Sequence, residues 1–401
     1  MAEFEDSEAT VGGFEFSAVS CGLKKVEAPD LALIYSQEPA TVAGVFTTNR
    51  VAAAPVILDR ERLPFGRVRA VLANAGCANA CTGQEGYQDA VTSARWVARA
   101  LGIRQEEVLV ASTGVIGVPL PMERIRDGVP RLVKGLKKEG LPQVARAIMT
   151  TDTRPKWTCR SLELSGVPVR MAAVVKGAGM IHPKMATLLC FVVTDASVPA
   201  PLLQRGLERG LKDSFHAITV DGDTSTNDTV LVLANGASGA APLARGSGDA
   251  RVFQRVLGEV LSEMALAVVR DGEGATKLVH IRVEGTRDHG MAMRVARAVA
   301  HSPLVKTAFY GEEVNWGRIM AAAGYSGVPM DPQEMDLWYD GIQIVRSGRG
   351  MGPQAERDAQ AVAQRKEFTV RVSVGKGEGS ALVHTCDLSH DYVSINASYK
   401  T

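Results

Sequence analysis

Aromatic residues make up only 5% of the 401-residue chain, and no apolar run approaches the roughly 20 residues that a membrane span requires. Charge of one sign is also missing. Against 45 Lys and Arg stand 44 Asp and Glu, so no bulk field exists to attract nucleic acid or an anionic membrane surface. A local basic cluster such as Lys134-Gly-Leu-Lys137-Lys138 reads as a solvated face. The six cysteines, at 21, 77, 81, 159, 190 and 386, have no framework spacing, and Cys77 and Cys81 lack the second Cys or His pair of a zinc site. The amino terminus, MAEFEDSEATVGGF, is acidic and lacks the apolar segment of a secretory signal. With scattered cysteines, this predicts a protein of the reducing cytoplasm.

Familiar catalytic signatures are scarce as well. Seven histidines occur without paired spacing, so a His-bound metal is not expected. The glycines of KGAGM (176–180) lack the spacing and terminal Lys-Ser/Thr of a phosphate-binding loop, and nothing matches G-x-S-x-G. Asp221-Gly-Asp223-Thr-Ser225 opens like a calcium loop. However, Thr226 stands where the turn needs Gly, and Val232 where the bidentate Glu belongs.

What is there is 46% apolar content with 40 glycines, in a chain longer than one hydrophobic core usually serves. Two domains or one large layered body are expected. The periodicities predict a strand over 67–76, a helix over 87–102 stopped by Gly102, and a strand over 106–120 that breaks at Ser112-Thr113-Gly114. They also predict a helix from Met122 limited or kinked by Pro130, and a hairpin over 160–175 turning at Ser165-Gly166. Strands near 188–198, 229–237 and 277–285 alternate with helices near 201–215, 250–272 and 291–302. The last third adds short strands at DLWYDGIQIV, EFTVRVSVGKG and SALVHTCDLS. The fold class is therefore α/β, a mixed sheet with flanking helices, since the hairpins exclude a purely parallel doubly wound sheet.

One seam stands out. In KGAGMIHPKMATLLCFVV (176–193) a Gly-bearing loop runs through Ala186-Thr187 directly into an apolar strand. A Thr hydroxyl is a weak nucleophile and needs a base. Cleaving the chain between Ala186 and Thr187 would supply one, because the α-amino group so created has a reference pKa of about 7.7–8.0. Gly177 and Gly179 permit the backbone excursion, and Ala186 leaves the scissile carbonyl unhindered. The Thr187 Oγ would attack that carbonyl, form an ester and release it to water.

At this point the sequence resembles the ornithine acetyltransferase (glutamate N-acetyltransferase) family of arginine biosynthesis. The resemblance rests on K-G-A-G-M-I-x-P-x-M-A-T-L-L (176–189), T-D-A (194–196), N-A-G-x-A-N-A-C-T-G (74–83), S-T-G-V-I-G (112–117) and M-T-T-D-T (149–153). It continues with D-G-D-T-S-T-N-D (221–228), D-G-E-G-A-T-K (271–277), G-x-x-x-N-W-G-R (311–318) and I-N-A-S-Y-K-T (395–401). It implies a precursor that cuts itself into an α chain of 1–186 and a β chain of 187–401, which stay together in one intertwined body and pair as α2β2. The implied fold is an α/β sandwich like that of self-processing aminopeptidases.

The implied reaction is acetyl transfer from N2-acetyl-L-ornithine to L-glutamate, releasing ornithine and N-acetylglutamate, with no cofactor. Whether acetyl-CoA also serves as a donor is left open by every motif. Carried over residue by residue, Thr187 is the nucleophile, Thr113 and Gly114 stabilise the oxyanion, and Thr150, Lys176, Thr187, Glu273, Asn396 and Thr401 bind substrate. The two substrates share an amino-acid head and differ in tail charge, so Lys176 and Glu273 would divide the charged contacts. Two departures from the family pattern stand beside the seam: Lys184, in place of a small or amide residue, and Leu188-Leu189. The competing reading is a self-processing amidase or aminopeptidase, whose acyl-enzyme is resolved by water. A non-catalytic binding protein with an intact seam is the alternative outside enzymology.

Overall fold

The computed structural model describes residues 10–182 and 188–398. The chain forms two compact bodies. The first runs through His216 and resumes over Asp223–Val268; the second comprises Ala217–Gly222 and the chain from Val269.

The first body is built on β1 (Phe14–Val19), β2 (Leu31–Phe46), β3 (Arg67–Cys77), β4 (Val108–Val115), β5 (Lys156–Leu164), β6 (Val167–Lys176), β7 (Leu189–Thr194) and β8 (Thr229–Ala234). The order is β4-β3-β2-β8-β7-β6-β5, with β1 paired to β2. β2 is long, and its register against β3 slips between Tyr35 and Ala40. Its first half pairs with β1 and β3, and its second half with β8. A bulge of this kind bends a strand and lets it pass from one layer to another. One core accordingly holds Ile34, Val71 and Leu109 from one half-sheet and Val174, Phe191 and Leu231 from the other. Residues of opposite parity, such as Leu33, Leu72 and Val110, point instead toward Ala94 and Val97 of the helix Gly83–Leu101 and Val129 and Leu132 of the helix Met122–Lys134. Period-two alternation thus gives each strand two apolar faces, and the body is a mixed α/β sandwich with flanking helices.

The second body has β9 (Leu278–Gly285), β10 (Asp336–Tyr339), β11 (Ile342–Arg346), β12 (Arg349–Gly350), β13 (Glu367–Ser373) and β14 (Gly377–Cys386), in the order β12-β11-β10-β13-β9-β14. Among the described strand pairs of this sheet, only β9 and β13 run parallel. Val279, Ile281 and Val283 of β9 pack with Val295 and Val299 of the helix His289–His301. That helix starts where the Asp288 side chain accepts a hydrogen bond from the Met291 N–H at 2.9 Å. Among the described residues, no helix is long and apolar enough to cross a membrane.

Three local expectations are corrected. The strand through Ser112-Thr113-Gly114 does not break there. It runs to Val115 beside β3, with the disturbance confined to a register shift at Gly76/Cys77. The helix expected from Tyr87 begins at Gly83, a turn earlier, because backbone bonding outweighs the weak propensity of Gly-Gln-Glu-Gly. DLWYDGIQIV is not one strand but the hairpin β10–β11, turning through Asp340, which has φ +47°. The Ser165-Gly166 hairpin lies where expected, with φ of +47° and +80° at the two turn residues.

Candidate active site

At one end of the first body's sandwich, the ends of β3, β4 and β6 meet the beginnings of β7 and β8. Thr113 is buried near the end of β4, and Lys176, also buried, closes β6. Lys176 Nζ donates to Thr113 Oγ1 at 3.3 Å. An ammonium has only donors, so Thr113 Oγ1 is the acceptor and keeps its own proton for another partner. The next residue, Gly114, has φ +127°, and a Cβ there would lie 2.4 Å from the Gly76 carbonyl carbon and 2.6 Å from the Cys77 nitrogen. Only glycine allows β3 and β4 to approach so closely while turning the backbone at this point. Gly114→Ala is expected to destabilise the protein by on the order of 3 kcal/mol, read as a lowered urea midpoint. An unchanged midpoint would contradict the close approach.

The backbone around Thr113 is held by buried amides. Ser112 Oγ donates to Asn74 Oδ1 at 2.6 Å, and Asn74 Nδ2 donates to the Cys77 carbonyl at 2.8 Å. From the segment before β8, Asn227 Nδ2 donates to the carbonyls of Ser112 at 2.8 Å and Ala78 at 2.6 Å. These bonds tie N-A-G-x-A-N-A, S-T-G and S-T-N-D into one rigid ring.

Asp152 is the hub on the other side. Its Oδ1 accepts from Lys156 Nζ at 2.6 Å and from the Gly177 N–H at 2.8 Å, while Oδ2 accepts from the Thr150 N–H at 3.0 Å. Both side chains of the Asp152–Lys156 pair are essentially inaccessible, at 0% and 1%. Burial alone would raise the Asp152 carboxyl, but Lys156 and then Lys176 outweigh it and hold the pKa at about 2. Asp228 is the opposite case. Burial pushes its carboxyl well above the usual range, and hydrogen bonding and the charge of Lys176 offset this only in part. Asp228 Oδ1 accepts from the N–H of Leu188 at 3.2 Å.

In the second body, Asn396 Nδ2 donates to Glu273 Oε2 at 2.7 Å. The loop bearing Glu273 is clamped by Asp387. That carboxylate accepts from Thr276 N–H at 2.8 Å, Thr276 Oγ1 at 2.6 Å and Lys277 N–H at 2.9 Å. Ser389 Oγ donates to the Gly274 carbonyl at 2.6 Å. Gly274 has φ +68°, and its missing Cβ would lie 2.6 Å from the Tyr392 nitrogen, so the loop lies flat on the start of the helix His390–Ser398.

Of the residues expected from sequence, Thr113, Gly114, Thr150 and Lys176 are gathered in the first body, and Glu273 and Asn396 in the second. Ala186, Thr187 and Thr401 lie outside the described residues. Sequence reasoning missed Asp152, Lys156, Asn227, Asp228 and Asp387. The first four sit inside or next to recognised motifs, but Asp152 lies in the loop before β5 and Lys156 opens that strand, so no helical spacing announces the pair.

A family model described as the ArgJ family matches residues 15–401. The chain belongs to the ArgJ family. It is 54% identical over 391 residues to the arginine biosynthesis bifunctional protein ArgJ of Geobacter sulfurreducens, covering 98% of this chain and 100% of that relative. It is 49% identical to the ArgJ protein of Syntrophotalea carbinolica, covering 98% and 99% of the two chains. Among solved structures, that of the arginine biosynthesis bifunctional protein ArgJ from Bacillus halodurans matches with a TM-score of 0.50 and 37% identity, covering 52% of this chain and 98% of that one. The ArgJ match spans both bodies described above.

Proposed function

We propose that the chain transfers an acetyl group from N2-acetyl-L-ornithine to L-glutamate through an acetyl-Thr187 intermediate, after cutting itself between Ala186 and Thr187. Membership of the ArgJ family, whose curated relatives are named as bifunctional proteins of arginine biosynthesis, supports the reaction class. The observation that carries the mechanism is the Lys176–Thr113 contact beside Gly114, at the strand ends that flank the seam. Thr113 Oγ–H and the Gly114 N–H are the donors for the oxyanion that develops when Thr187 Oγ attacks the acetyl carbonyl. The new α-amino group takes the Oγ proton and returns it to the departing ornithine amine. The glutamate amine then attacks the acetyl ester, and the same groups act in reverse.

Thr150 and Lys176, with Glu273, Asn396 and Thr401, are assigned to substrate binding. The term bifunctional fits acetyl-CoA as a second acetyl donor to glutamate, with no resident cofactor. Two further features support cutting. β6 and β7 are adjacent and antiparallel, with Lys176 opposite Leu189, so chains 1–186 and 187–401 share one sheet and would remain together. The Bacillus halodurans chain is covered almost completely by about half of this one, which is the length of a single cleavage product. A cytoplasmic α2β2 assembly follows from the same family reading.

The test is denaturing intact-mass analysis of the purified protein, followed by incubation with N-acetylornithine and glutamate. Two chains, the second beginning TLLCF, and formation of N-acetylglutamate are expected. A single uncut chain with full activity would overturn the free-amine mechanism. Cut protein that releases acetate and makes no N-acetylglutamate would establish the amidase instead.

A further inference from the structure

The first body carries a cavity lined by arginines, remote from Thr113 and Lys176. Its volume is about 230 Å³, and its lining includes Arg205, Arg209, Arg245 and Arg251 with Gln254, over an apolar floor of Leu202 and Ala250. The cavity lies between the helix Ala200–Lys212 and the start of the helix Gly248–Arg270. These helices follow the ends of β7 and β8 that point away from Leu188 and Asp228, and each strand is six residues, about 20 Å, long.

Among the described residues, no acidic side chain lines the cavity. Within the described residues, none of the four guanidiniums forms an ion pair. Arg209 Nη1 reaches Gln254 Oε1 at 3.4 Å, and Arg251 Nη1 donates to the Gly246 carbonyl at 2.8 Å. On a chain with 45 basic and 44 acidic residues this is a concentration of one sign, and it runs against the local electrostatics. Arg205 and Arg209 are i,i+4 neighbours of like charge, which opposes helix formation. Arg245 and Arg251 flank the amino-terminal turn of the second helix, where the backbone dipole favours anions. The acid on that turn, Asp249, instead accepts a hydrogen bond from Ser165 at 2.5 Å. Gly210 brings the two helices together, since a Cβ there would lie 2.6 Å from the Leu261 side chain. That close contact holds the four arginines around one opening.

We infer that this cavity is a binding site for a small, multiply charged phosphate ligand, with a diphosphate group as the recognised unit. Guanidinium forks match phosphate oxygens two at a time, and four of them balance the charge of a diphosphate that one or two would not. A free inorganic diphosphate and the diphosphate of a nucleotide share this chemistry.

The test is calorimetric titration of the full-length protein at low ionic strength with inorganic diphosphate, ADP and inorganic monophosphate. Saturable diphosphate binding, weakened as salt is added, is expected. At least tenfold weaker binding is expected for the R205Q/R209Q and R245Q/R251Q variants, with acetyl transfer unchanged. Tighter binding of ADP than of diphosphate would identify a nucleotide as the source, and equal binding would identify diphosphate itself. No saturable binding below about 1 mM, or equal binding by both double variants, would overturn the assignment.

Discussion

Thr187→Ala is expected to yield one uncut chain of 401 residues that transfers no acetyl group. The substitution removes two groups at once. The hydroxyl that would attack the Ala186 carbonyl is gone, so no ester forms at the seam. The α-amino group is therefore never released, and no base stands in for it. A loss on the order of 10⁴–10⁶-fold in transfer is expected, because groups that act as one unit fail together. Thr187→Ser keeps the hydroxyl and should still be cut and retain measurable transfer, which separates chemistry from misfolding. Intact mass and N-acetylglutamate formation read both outcomes. An uncut Thr187→Ala chain that remained active would sink the mechanism.

Asp152→Asn is expected to be the most damaging change away from Thr187. It leaves Lys156 and Lys176 in a buried cluster without the carboxylate that balances them, while the Gly177 and Thr150 amides lose a charged acceptor. Breaking a buried pair from one side costs about 3–5 kcal/mol. Removing both charges, in D152N/K156M, should recover most of that loss in urea unfolding. Transfer should recover less, because the acceptor for Gly177 and Thr150 is still altered. The pair also sets a pH limit. Asp152 titrates lower in the folded chain, at about 2, than when unfolded, so its contribution is present above the usual carboxylate range and is lost as pH falls toward 2. A double variant no more stable than the single one would show that the two charges are not coupled.

The sequence made some features easy to read and hid others, for physical reasons. The Ser165-Gly166 hairpin was legible because its two-residue turn demands residues that accept positive φ. β3 and β7 were legible as apolar runs buried on both faces. By contrast, the short β10–β11 hairpin turns at Asp340-Gly341, which reads as an interruption within one strand. The long β2 escaped notice because its bulge interrupts the alternation that would reveal it. Within the site, Thr113, Gly114 and Lys176 came from motif resemblance, and their proximity depends on strand ends far apart in sequence. Asp152, Asn227 and Asp387 act on backbone amides and carbonyls of distant loops, and no local pattern records such partners.

The adjacency of β6 and β7 has a consequence for how the protein would fail. Once the connection between them is severed, the folded body is stitched across two chains that share one sheet. Denaturation then releases separate polypeptides, and reassembly becomes a second-order reaction that slows with dilution. The durability of the cut protein is therefore a matter of the unfolding barrier rather than of a reversible equilibrium. Self-cleavage of this kind would convert a chain that folds once into one that has to last.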